Sequence, residues 1–111
     1  MSIRQEKFSG LLKRELATIF QRESRNLFNG RFITVTIVKV SSDLGLAKIY
    51  LSFLGSPDKE KGLEEVKEQK WQIKKMLGQQ VGKQLRRIPD LAFYIDDSLD
   101  YYQEIDDLLK K

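Results

Sequence analysis

The run FITVTIVKVSSDLGLAKIYLSF, Phe32 to Phe53, decides how this chain folds. Its opening part is dense in β-branched side chains, which fit a pleated, half-buried surface and lose rotamer freedom in a helix. There Ile33, Val35 and Ile37 alternate with Thr34 and Thr36, the period of a strand with one buried face. After the turn-forming SSDLG (Ser41 to Gly45), Ala47, Ile49, Leu51 and Phe53 alternate with Lys48, Tyr50 and Ser52. A spacer this short joins antiparallel strands, because a parallel return needs a crossover of roughly a dozen residues.

Upstream, Arg4 to about Arg25 carries Phe8, Leu12, Leu16, Ile19 and Phe20 at three- and four-residue spacing, an amphipathic helix that Asn29-Gly30 closes as a turn. Downstream, Gly55-Ser56-Pro57 ends the hairpin, with Ser56 placed to cap a helix and Pro57 in its first turn. Helical spacing then extends to Ile88, with Ile73, Leu77, Val81, Leu85 and Ile88 on one side and Lys75, Gln79, Gly82, Lys83 and Arg86 on the other. That span is long for one globular helix, so two helices joined by a kink or turn are expected. Pro89 stops the helix, because proline disfavours helical geometry in the residue before it. LAFYI, Leu91 to Ile95, reads as a third strand, and the acid-rich end from Asp96 to Lys111 as a short tail helix. The order is α-β-β-α-α-β plus that tail: an α+β domain over residues 1–111, with a three-stranded mixed sheet and helices on one face.

Composition narrows the chemistry. The 111 residues, 41% hydrophobic, are enough for one modest core and too few for two domains. No stretch approaches the roughly 18 apolar residues of a membrane span, and the start MSIRQEKFSG lacks the apolar core of a signal peptide, so the cytoplasm is the expected compartment. Cysteine and histidine are both absent, so the usual zinc sites and the Ser-His or Cys-His nucleophile pairs cannot be built. Neither catalysis nor a cofactor is expected. Residues 1–89 hold 18 of the 20 Lys and Arg and 9 of the 16 Asp and Glu; residues 90–111 hold 2 and 7. A basic body with an acidic tail suggests a polyanionic partner for the body.

Several stretches carry a family resemblance: an opening helix with Arg4 and Lys7, VTIVKVSSDLGLAKIYLSFLG from Val35 to Gly55, and QLRRIPDLAFYIDDSLDYYQEIDDLLKK from Gln84 to Lys111. In them Ser42-Asp43-Leu44, Ala47-Lys48 and Ser52 are similar to the family's second-strand signature. Arg86, Pro89, Leu91, Phe93 and Asp96 are similar to its approach to the last strand. Together they resemble ribosome-binding factor A, a bacterial small-subunit assembly family of type II KH-like fold. Size and charge suggest a monomer. The resemblance implies a factor that binds the immature 30S subunit and helps its 16S ribosomal RNA mature, notably in the cold, and it implies a GTPase that assists release. It also implies KH architecture without the GxxG loop by which ordinary KH domains clamp a single strand. Gly78 and Gly82 are spaced as GxxxG and read as close-packing positions. Where the family typically carries an Ala-x-Gly kink, this chain has Gln69-Lys70-Trp71.

RNA docking by such a chain is electrostatic, since Lys and Arg neutralise phosphates and release counterions. The candidates are Arg4, Lys7 and Arg14 on the first helix, with Lys75, Lys83, Arg86 and Arg87 on or beside the polar side of the long helical segment. Lys74 lies nearer the apolar stripe, and Lys48 is open between a phosphate contact and a cross-strand partner. Trp71, Tyr50 and Tyr94 could stack on bases, but such residues more often pack in or around a core, which is the expectation here. Asp96, Asp97, Asp100, Asp106 and Asp107 lack calcium-loop spacing and read as helix caps and solvated charge. The tail could alternatively contact a basic ribosomal protein or shield the basic face. A general RNA chaperone without ribosome specificity, and a protein–protein adaptor, are the competing functional readings.

Overall fold

A computed structural model describes residues 3–55, 58–82 and 87–96. The elements are α1 (Ile3–Arg22), α2 (Ser24–Leu27), β1 (Phe32–Val40), β2 (Leu46–Leu54), α3 (Lys59–Glu68), α4 (Lys70–Val81) and β3 (Asp90–Ile95). The sheet order is β1-β2-β3, with β1 and β2 antiparallel and β3 parallel to β2, as the α+β reading requires. The helical crossover through α3 and α4 is what makes the second pairing parallel.

One face of the sheet carries the core. Leu12, Leu16, Ile19 and Phe20 of α1 close over Val35, Val38, Ala47, Ile49, Leu51, Leu91 and Phe93, and Val66, Ile73, Leu77 and Val81 complete it from α3 and α4. Each fully buried side chain of this size stabilises by about 1.5–3 kcal/mol. Phe20 sits at the centre, 5.1 Å from the Phe28 ring and 6.3 Å edge-on from Phe93.

The strand alternation departs from expectation at Ile37, which is exposed. Val35 pairs with Leu51 and Ile37 with Tyr50, so Thr36 is an extra residue in a bulge. A bulge shifts the period by one, and the inward positions become Val38 and Val40. The Thr36 hydroxyl is tied there to the Asp96 carboxylate, with Oγ1 2.5 Å from Oδ2, and also approaches the Tyr50 carbonyl at 3.2 Å.

The long helical segment breaks at Gln69, whose N–H is shared among the carbonyls of Glu65, Val66 and Lys67 as α3 ends. The next helix starts at Lys70, so the kink lies at Gln69-Lys70-Trp71 although no small residue is present. The expected continuation to Ile88 does not occur: α4 ends at Val81, and Arg87 and Ile88 are not helical. The restriction that Pro89 places on the residue before it accounts for Ile88. Gly78 is not a close-packing site, since an added Cβ would meet Ile88 at an ordinary 3.7 Å. The tight approach is at Gly82, where a Cβ would lie 2.6 Å from the Gly78 carbonyl oxygen. Ser56, Pro57, Lys83, Leu85, Arg86 and the tail from Asp97 to Lys111 lie outside the described residues.

Candidate nucleic-acid interface

The first basic group lies on α1. Arg4, Lys7, Leu11 and Arg14 are spaced by three and four residues and form one stripe away from the buried Leu12–Leu16–Ile19 side. With Ile3, Phe8 and Gly10 they line a shallow concavity of about 750 Å³. Its lining mixes apolar side chains with three cations. Gln5 donates to the Val40 carbonyl at 3.0 Å, pinning the start of α1 to the sheet end that carries the hairpin turn.

Arg87 belongs to that same sheet end. Its charge helps hold the Asp43 carboxyl below its ordinary range, after the larger effects of hydrogen bonds from the Ser41 hydroxyl at 2.6 Å and the Gly45 N–H at 3.0 Å. The structure therefore brings Arg4, Lys7 and Arg87 to one end of the molecule, although Asp43 offsets part of the Arg87 charge. Lys75 is exposed on α4, which runs antiparallel to α1: Arg22 reaches the Met76 sulfur and Gln80 donates to Glu15 at 2.7 Å. Of the seven sequence candidates, five are described and all five are exposed.

A second basic group forms at the α3–α4 corner. Lys67, Lys70, Trp71 and Lys74 line one concavity with Glu68 and Asp90. Lys70 approaches Asp90 at 2.9 Å and Lys74 at 4.0 Å. The hydrogen bond from Lys70 is the main reason the Asp90 carboxyl sits below its ordinary range. Trp71 is 73% exposed, against the expectation that it packs in the core. The signal was available on the helical wheel: Trp71 stands two positions before Ile73, roughly 200° away, and one turn before Lys75. Tyr94 is likewise exposed at 41%. Sequence reasoning also missed Lys67 and Lys70, because their place depends on the angle at Gln69.

Among the described residues no cluster of His, Cys, Asp and Glu could hold a metal, and no helix is long and apolar enough to cross a membrane. The family model of ribosome-binding factor A matches residues 4–109. The chain belongs to that family. Ribosome-binding factor A of Cytophaga hutchinsonii is 44% identical over 110 residues, covering 99% of this chain and 83% of that one. The Prosthecochloris aestuarii protein is 42% identical over 113 residues, covering 100% of this chain and 90% of that one. In structure, the chain is similar to crystalline ribosome-binding factor A from Thermus thermophilus, with a TM-score of 0.68 and 23% identity over 82% of this chain and 94% of that one. A homology model of the Thermus thermophilus factor, fitted into the cryo-EM map of its complex with the 30S subunit, is similar with a TM-score of 0.63. It is 25% identical and covers 80% of this chain and 91% of that one. The expected α-β-β-α-α-β order and mixed sheet are thus those of the family's solved structures, whose fold is KH-like.

Proposed function

We propose that this protein docks on the immature 30S subunit in the cytoplasm and supports small-subunit biogenesis and 16S rRNA maturation by binding alone, without catalysis of its own. The observation that carries the reading is the family match along nearly the whole chain, and the helical layer supplies a means. Arg4, Lys7 and Arg14 lie on α1, Lys75 on α4 and Arg87 just before β3, and all five are exposed. Phosphates recognised this way contribute affinity that falls steeply with salt, by roughly 0.7–0.9 in log–log slope per contact. Lys83 and Arg86 belong to the same proposed set. A GTPase that assists release follows the family resemblance, and a monomeric state follows the chain's size and charge.

Co-sedimentation of the purified protein with immature and mature 30S particles over rising salt tests the reading. A variant carrying Arg4→Glu and Lys7→Glu runs alongside. Preference for immature particles, with the variant leaving at lower salt while its thermal melt is unchanged, supports it. Equal binding to unrelated RNA points to a general chaperone. Absence of the protein from both particles at low salt removes the reading and favours an adaptor.

A further inference from the structure

The face of the sheet away from the helices carries charge and aromatic surface that the helical docking site does not use. Lys39 of β1 and Lys48 of β2 are direct cross-strand partners, and both are exposed. Like charges directly opposite repel, so the pair costs stability in the absence of an anion. Beside them Tyr50 and Tyr94, also cross-strand partners, stack with ring centroids 5.3 Å apart and planes 27° from parallel. The Lys39 ammonium lies 5.6 Å from the Tyr50 ring centroid. With the strands in the order β1-β2-β3, Lys39 and Tyr94 flank Tyr50 from opposite sides. Among the described residues β3 is an edge strand of the sheet, and Tyr94 on it is 41% exposed. The carboxylates at the two ends of β3 are engaged: Asp96 holds the Thr36 hydroxyl, and Asp90 faces Lys70 and Lys74.

We propose that this open face is a second RNA-binding surface, taking an unpaired nucleobase stacked on Tyr94 and the adjoining phosphates on Lys48 and Lys39. A base on the free side of Tyr94 extends a ladder that already runs Lys39, Tyr50, Tyr94. Stacking tolerates any base, because every base offers a π-face. Phosphates between Lys39 and Lys48 convert a repulsive pair into a cation clamp. An apolar protein partner would leave both ammonium groups dehydrated and unpaired, which is costly. The proposal extends the RNA reading to the face opposite the helices, and its test uses an isolated oligonucleotide, so its failure is separable from failure to bind the ribosomal particle.

The test is fluorescence anisotropy with a labelled, unstructured RNA of about eight nucleotides, within the usual span of single-strand sites. Tyr94→Leu is expected to weaken binding about 5- to 150-fold, the range for losing one stacked base. Tyr94→Phe retains the ring and is expected to bind like the parent. Lys39→Gln and Lys48→Gln each lower the log–log salt slope by about 0.7. The Arg4→Glu, Lys7→Glu variant serves as the helical-face control and keeps its dependence on Tyr94. Binding unchanged by Tyr94→Leu, or absent at low salt, overturns the proposal. A polyglutamate peptide of the same length that binds with the same dependence on Tyr94 also overturns it, and assigns the face to a protein.

Discussion

Gly62 in α3 is buried, and a Cβ added there would lie 2.9 Å from both Cδ1 and Cε1 of Phe53 and 3.3 Å from Cδ of Arg31. Phe53 is a 4% exposed core residue, so its ring cannot simply swing into solvent. Gly62→Ala gains about 1 kcal/mol of helix propensity, but forcing a methyl into a packed core costs about 1–3 kcal/mol. The expected net loss is about 1 kcal/mol, with a melting temperature lowered by roughly 4–8 °C for a domain near this size. Gly10 supplies the control: it is exposed in α1 with nothing within 4 Å of an added Cβ. Gly10→Ala keeps the propensity gain of about 1 kcal/mol and should melt higher than the parent. Scanning calorimetry, backed by urea midpoints at constant slope, reads both variants. Combining Gly62→Ala with Phe53→Leu should recover part of the loss, a coupling expected of residues in contact. If Gly62→Ala melts above the parent as Gly10→Ala does, α3 does not press on β2, and the placement of Lys67 and Lys70 loses its support.

Trp71→Ala should shift stability by less than about 0.5 kcal/mol, since the side chain is mostly in solvent, whereas a buried Trp would cost about 3–5 kcal/mol; a thermal melt separates the two. Asp90→Asn removes the acid facing Lys70 and Lys74 and should tighten RNA binding and steepen its salt dependence; unchanged affinity would place the α3–α4 corner outside the interface. Glu65 accepts from Arg31 at 2.7 Å and from Asn29 at 2.9 Å, and the Arg31 hydrogen bond is the largest cause of its lowered pKa. Its contribution is therefore fully present above the ordinary glutamate value of 4.5 and lost as pH falls through the lower folded value. Glu65→Gln should cost about 1–2 kcal/mol at pH 7, and the difference from the parent in urea midpoint should shrink in acid.

The hairpin was legible because β-branched alternation and a short polar spacer admit few alternatives, and β1 begins and ends where that pattern does. The first helix and third strand were legible for similar reasons: three- and four-residue spacing in α1, and an apolar run after Pro89. The cations on α1 were legible too, since a helix with one buried stripe leaves its other side to solvent. Legibility stopped where a residue's surroundings come from distant chain. The bulge at Thr36 turns Ile37 outward, and there the Thr36 hydroxyl meets Asp96, a residue 60 positions away. Whether Lys70 and Lys74 are free depends on Asp90 lying across the corner made at Gln69. Tyr50 and Tyr94 meet only because the crossover sets β3 parallel beside β2 in that register. Local periodicity determined which residues share a face of one element; only the tertiary structure decided which faces meet and which stay open, because those contacts join segments that are far apart along the chain.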